Sequence, residues 1–309
     1  MRDLPDELKF LSSRSAVQSR YEGSLAGKTC VVTGATSGVG LAAARRLAAG
    51  GADLVLVARD REKARAVREA IVGAAGVRID IVLADLSDLD QVRRAAGEIL
   101  DICPRIDVLV NSAGLHSTTL RRTAAGRELV FCVNHLASFL LTSLLLDRLV
   151  GSSPSRIIQV NSEGHRFGGL DPEDLDWKKR HYTGLRGYGA SKIAQLLTVK
   201  EFSDRLAGTG VTINAMHPGD VRTGIGRNNG ILYRAFLHAI VWPFLKDSSI
   251  SGEAIYWLAG DPGLAKVSGR YFHLTIEETP APAARDLAMG RKIWELSREL
   301  TAPGPEIAR

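Results

Sequence analysis

The chain has 309 residues, 45% hydrophobic and 24% charged, which is enough apolar material for a full core and excludes a disordered polyelectrolyte. The formal charge of +6 is spread along helical patterns (Arg45, Arg46, Arg61, Arg65, Arg68, Arg93, Arg94) with no basic block. That distribution argues against nucleic acid as a partner and leaves a positive field suited to a polyanionic cofactor. The three cysteines, Cys30, Cys103 and Cys132, are too far apart for a redox or metal pair, and the seven histidines are too scattered for a metal site. No run of about 18 apolar residues is read in the chain, and residues 1–18 are charged and lack the apolar core of a signal peptide. The expectation is a cytoplasmic protein with no stable membrane insertion.

Residues 1–26 read as a charged extension, with a short helix around Glu7–Leu11. From Gly27 a regular alternation begins. A strand at Thr29–Thr33 leads to a helix over Gly40–Ala49, and a strand at Asp53–Ala58 to a helix over Arg61–Val72. Arg78–Leu83 precedes Leu89–Leu100, and Val108–Asn111 precedes a long helix through Asn134–Leu149. A strand at Arg156–Asn161, a helix through Lys192–Leu206 and a strand at Val211–His217 follow. Short Val- and Ile-rich runs alternating with helices specify βαβ units. They imply an α/β, Rossmann-like doubly wound parallel sheet of about seven strands, with helices on both faces of a single domain. The domain is expected over 27–276, with a substrate loop at 223–247. Residues 277–309 read as a surface tail with one helix near Met289–Leu300.

Gly34, Thr36, Ser37, Gly38, Val39 and Gly40 lie between the first strand and the first helix. Glycines there let the backbone turn tightly and approach a pyrophosphate, which then meets the free N–H groups and positive end of the helix. The spacing is Gly-x3-Gly-x-Gly, not the Gly-x-Gly-x-x-Gly of the common fingerprint. Arg59 ends the second strand, where an acid would bind a ribose hydroxyl and an Arg accommodates a 2′-phosphate, so NADP(H) is favoured over NAD(H) despite the neighbouring Asp60. Asp85 and Leu86, ending the third strand, would flank adenine. Asn111, Ser112, Ala113 and Gly114 end the fourth, where ligands gather in open α/β sheets.

Tyr188 and Lys192 start a predicted helix at i and i+4, on one face. The ammonium is expected to lower the phenol's pKa and make it a proton donor or acceptor near neutrality. Alone, Tyr-x3-Lys is too common to mean anything. Here it follows a strand ending at Ser162, whose hydroxyl would bind a substrate oxygen, and a helix carrying Asn134.

Taken together, these motifs, in this order, resemble the short-chain dehydrogenase/reductase family across roughly residues 27–275. Val211–Gly219 (VTINAMHPG), with Val221 and Thr223 beyond, resembles the strand and loop that close over the nicotinamide. Within the family the chain is most similar to the retinol dehydrogenase-like branch. The matching stretches are TAAG at 123–126, VNHLASFLLT at 133–142, SEGH at 162–165, SKIA at 191–194 and SGRYF at 268–272. The long spacing from Ser162 to Tyr188 is also similar. The resemblance implies a catalytic tetrad of Asn134, Ser162, Tyr188 and Lys192. Tyr188 would be the acid/base, Lys192 would hold the nicotinamide ribose, Ser162 would orient the carbonyl oxygen and Asn134 would fix a water in a proton relay. It also implies cofactor contacts from Pro218, Gly219, Val221 and Thr223, and a homodimer or homotetramer. Two positions depart from the pattern: Ser112 stands where the branch usually has Asn, and Leu41 where NADP-preferring relatives often have a basic residue.

The expected function is interconversion of an alcohol with a ketone or aldehyde on a bulky hydrophobic small molecule. Residues 224–247 are strongly apolar (Ile231, Leu232, Phe236, Ile240, Trp242, Phe244) and read as a lid, a membrane-resting segment or a packed helix. The insertion at 163–187 places His165, Trp177, His181, Tyr182 and Arg186 near the same rim. Two alternatives remain open: a dinucleotide-binding sensor or scaffold, and redox-neutral epimerase- or dehydratase-type chemistry.

Overall fold

The computed structural model of the chain describes residues 16–219, 221 and 247–303. Eight strands form one sheet, one more than expected. In chain order they are β1 (Thr29–Thr33), β2 (Asp53–Ala58), β3 (Ile79–Leu83), β4 (Val108–Asn111), β5 (Ser155–Val160), β6 (Val211–His217), β7 (Tyr271–His273) and β8 (Ile276–Glu278). Their spatial order is β3-β2-β1-β4-β5-β6-β7-β8, parallel throughout except for the β7–β8 pair. The order reverses direction between β1 and β4. That switch point opens a crevice at the carboxyl ends of the strands.

Helices cover both faces. One face carries α1 (Gly38–Ala49), α2 (Arg61–Ala75) and α6 (Ser249–Gly260); the other carries α3 (Leu89–Ile102), α4 (Leu129–Gly151), α5 (Gly184–Arg205) and α7 (Leu287–Leu300). Each face has its own core, because a sheet buried on both sides must be apolar on both. The register of β1 with β2, Val31 opposite Val55 and Val32 opposite Leu56, sends alternate side chains into the two cores.

Three expectations change here. Helix α4 is apolar over a length that would span a bilayer, against the reading that no such run exists, yet 72% of its most apolar 18-residue stretch is buried inside the protein. It is a core helix lying against the sheet, which is why it is apolar all round. Helix α5 begins at Gly184, capped by the Thr183 hydroxyl, so Tyr188 sits in its second turn and not at its start. Residues 277–300 do not form a loose tail: β8 extends the sheet, and Ile293, Trp294 and Ser297 of α7 are buried against α4 and α5. The possible helix at Glu7–Leu11 lies outside the described residues. The extension from Tyr21 onward docks on α6: Tyr21 stacks on Tyr256 at 5.4 Å between ring centroids, and Leu25 is buried.

Candidate functional site

The turn after β1 is built by exclusion of side chains. Gly34 has φ of +67°, and a Cβ there would fall 2.8 Å from the Ala113 Cα; one on Gly40 would fall 2.4 Å from the Gly34 carbonyl oxygen. Only glycine allows these approaches. The Thr33 hydroxyl oxygen accepts from the backbone N–H groups of Ser112 and Ala113, both at 3.0 Å, and so pins the loop after β4 to the end of β1. In the sequence Thr33 reads as the end of the strand and the first residue of the turn motif, without this latch. Helix α1 then starts at Ser37 with no side-chain cap and no acid in its first turn, whereas α2, α3, α5 and α7 are all capped by side chains. Its first N–H groups are left for an anion.

Along the crevice lie the groups that would meet an adenosine. Arg59 is 70% exposed, and its Nη1 is a loose 3.8 Å from an Asp85 carboxylate oxygen. Asp60, which complicated the sequence reading, is already engaged: its carboxylate accepts from the Lys63 backbone N–H and pairs with Lys63 Nζ at 2.6 Å. Asp85 holds Ser87 through both its N–H and its hydroxyl. Arg121 and Arg122 reach the same cavity from the loop after β4, a basic contribution that the sequence analysis did not single out although the pair is visible there.

Ser162, Tyr188 and Lys192 meet at the other end. Gly164 makes the room: a Cβ there would fall 2.5 Å from the Tyr188 ring. Ser162 hydrogen-bonds the phenol, His116 meets the ring edge-on at 5.7 Å, and Lys192 Nζ stands 5.5 Å from the ring centre. Lys192 is buried and donates to the Val160 carbonyl at 3.1 Å and to Gln195 Oε1 at 2.9 Å. The expected depression of the phenol by the ammonium is not what the geometry gives. Burial pushes Tyr188 up to about 12, against the opposing Ser162 hydrogen bond, and pushes Lys192 down to about 7. With the chain alone, the phenol is therefore protonated at neutral pH and the amine is near its titration point.

One cavity of about 1330 Å³ joins the two ends. It is lined by Gly34, Thr36 to Gly40, Arg59, Asp85, Leu86, Ala113, Gly114, Ser162, Tyr188, Lys192, Pro218, Gly219 and Val221, and by His217, which sequence reading passed over. Two expected residues are not on its surface. Asn111 is buried in the sheet and donates to the Thr142 hydroxyl at 2.8 Å, tying β4 to α4. Asn134 is also fully buried, in a π-helical turn at Cys132–Leu136. Its side chain accepts from Leu115 N and donates to Leu115 O and the Ser191 hydroxyl, so its carboxamide braces the β4 loop against α5. His165 has a structural role: its Nε2 accepts from Ala281 N, so its Nδ1–H donates to Ser162 O and holds the strand end in place. Trp177 is buried beneath Tyr182 and Arg180, as the small core of the insertion rather than its rim. Thr223 and residues 223–246 of the substrate loop lie outside the described residues.

The family model for short chain dehydrogenases matches residues 28–230. The chain belongs to that family. This short chain dehydrogenase is 40% identical to retinol dehydrogenase 13 of Homo sapiens over 279 residues, covering 89% of this chain and 84% of that one. It is 39% identical to retinol dehydrogenase 14 of Mus musculus over 288 residues, covering 89% and 86%. Among solved structures, a dehydrogenase/reductase from Sinorhizobium meliloti 1021 superposes with a TM-score of 0.64 at 29% identity, covering 85% of this chain and 97% of that one. The Pseudomonas aeruginosa RhlG/NADP active-site complex does so with a TM-score of 0.64 at 25% identity, covering 81% and 95%. The protein is thus an NAD(P)-dependent oxidoreductase acting on CH–OH groups.

Proposed function

We propose that this short chain dehydrogenase uses NADP(H) to interconvert an alcohol and a ketone or aldehyde on a bulky hydrophobic substrate. The observation that carries the reading is the continuous cavity of about 1330 Å³ that is lined both by the open N-terminus of α1 and by Tyr188. A dinucleotide fits the residues present, because the glycine-walled turn and uncapped helix suit a pyrophosphate. When bound, the nicotinamide supplies the hydride.

The chain's own residues do the rest. Tyr188, protonated at neutral pH, gives its proton to the carbonyl oxygen in reduction and takes it back in oxidation. Ser162 holds that oxygen within reach of the phenol. Lys192 keeps one N–H free beyond Val160 and Gln195, and that N–H would hold the nicotinamide ribose. Arg59 selects the 2′-phosphate, since it is weakly engaged while Asp60 is occupied by its helix cap. The retinol named in two relatives and the apolar composition of residues 224–246 support a bulky hydrophobic substrate.

Fluorescence titration with NADPH and NADH tests the cofactor reading. NADPH should bind the tighter, and Arg59→Ala should weaken NADPH about tenfold or more while leaving NADH within about twofold, the scale of one lost charge-assisted contact. Equal losses for both would remove Arg59 from the reading.

A further inference from the structure

Among the described residues, Lys192 is the one ammonium in the cavity that is buried, and no carboxylate pairs with it. Its hydrogen-bond partners are the Val160 carbonyl and the carboxamide of Gln195, one turn further along α5. The orientation of that carboxamide is fixed by its neighbours. Oε1 accepts from Lys192 Nζ at 2.9 Å and from Asn161 Nδ2 at 3.1 Å, and Nε2 donates to the Asn134 carbonyl at 2.5 Å. A flipped amide would set oxygen against oxygen and NH₂ against two donors. The Asn134 carbonyl belongs to the π-helical turn of α4, and the single Ser138 hydroxyl proton is shared between it, at 2.9 Å, and the His135 carbonyl, at 3.0 Å. The link from Lys192 to the Asn134 carbonyl therefore runs through Gln195, where the resemblance implies a water fixed by Asn134.

We propose that Gln195 is a positioning residue of this site: its carboxamide joins the Lys192 ammonium directly to the Asn134 carbonyl, ties α4, α5 and the end of β5 together, and favours the charged form of the amine. An amide passes a hydrogen bond but does not hand on a proton, so Gln195 biases the amine toward its charged form without relaying a proton itself. This rests on the reading of Lys192 given above. Around the amine, among the described residues, the other titratable groups are Tyr188 on its own helix, His116 edge-on to the Tyr188 ring from the loop after β4, and His217 at the end of β6, beside Glu163.

The test is NADPH binding by the full-length chain, followed by fluorescence between about pH 5.5 and 9.5, with Lys192→Met supplying the background from all other groups, including the 2′-phosphate and His217. The step present in the wild type and missing in Lys192→Met reports the amine. Gln195→Met removes the acceptor and should move that step down by about half a unit or more. Gln195→Glu sets a carboxylate beside the amine and should move it up by a similar amount. Both replacements are near-isosteric, and if one fails to fold, the direction of the other decides. Steps that stay in place, or move the same way in folded variants, overturn the role of Gln195. A wild type with no Lys192-dependent step, or no NADPH binding, overturns instead the reading of the site on which it rests.

Discussion

At Gly164 a single hydrogen in place of a methyl decides whether Ser162 and Tyr188 can meet as the proposed reacting end requires. A Cβ there would fall 2.5–2.6 Å from the Tyr188 ring, a contact that must be relieved by moving the ring, the turn or both. Gly164→Ala should cost about 1–3 kcal/mol of stability from overpacking. It should also lower turnover at least about tenfold, because an ångström of displacement matters at a proton-transfer site. Urea unfolding beside steady-state rates would check this, and unchanged rates would show that Tyr188 does not need its present position. Lys192 carries a pH signature of its own. Its folded pKa of about 7 lies below the ordinary value of 10.5, so between the two the unfolded chain binds more protons than the folded one. Stability therefore rises with pH across that window, and the full burden of the buried ammonium is felt below pH 7. Lys192→Met should gain on the wild type most at about pH 6 and least near pH 10, compared by thermal midpoints. A difference independent of pH would mean that the amine is not buried as a charge. Tyr188, Lys192, Ser162 and the glycines were legible in the sequence because each chemistry demands one residue type at one spacing. Gln195 and the partners of the Thr33 hydroxyl were not, because amide and hydroxyl partners are set by three-dimensional proximity that no spacing announces.

Helix α7 shows where element-level reading ran out. Its sequence follows prolines near the end of the chain and looks like a surface helix, yet Trp294 packs on Phe139 and Phe202 at 5.1 and 4.7 Å between ring centroids, with Arg205 over its face. Period and composition find the helix; only the fold supplies the apolar groove between α4 and α5 that receives it. Trp294→Ala should cost about 3–5 kcal/mol, the scale of a large buried aromatic, and a loss under about 1 kcal/mol in denaturant unfolding would show that α7 is not docked. The same helix is tied to α4 by a hydrogen bond from His135 Nε2–H to the Ser297 hydroxyl, whose own proton goes to the Ile293 carbonyl. Burial holds His135 down to about 3, so it stays neutral when folded and takes up a proton on unfolding. That contribution is present above about pH 6.5 and lost as pH falls toward 3. His135→Gln, which cannot take the proton, should move the acid-unfolding midpoint to lower pH; a midpoint that stays or rises would contradict the assignment.

On the scale of the whole molecule, the strand-and-helix alternation specified the doubly wound sheet almost to the residue at β1, β2, β4 and β6, because buried parallel strands need uninterrupted apolar runs. The short strands β7 and β8 escaped notice, being only three residues each, too brief to show a period. The apolar run of α4 was also misjudged, since a helix enclosed on all sides by sheet and neighbours carries the same composition as one enclosed by lipid. The sheet's reversal between β1 and β4 is what brings the α1 turn and Tyr188, 154 residues from Gly34, into one cavity. The account stands or falls on that convergence being a working site. The most direct measurement compares wild type and Tyr188→Phe for NADPH binding by fluorescence and for NADPH oxidation with a panel of hydrophobic ketones and aldehydes. The account predicts binding within about twofold and turnover lower by at least about 10²-fold, the contribution of a positioned acid. Turnover close to wild type in the variant would contradict it.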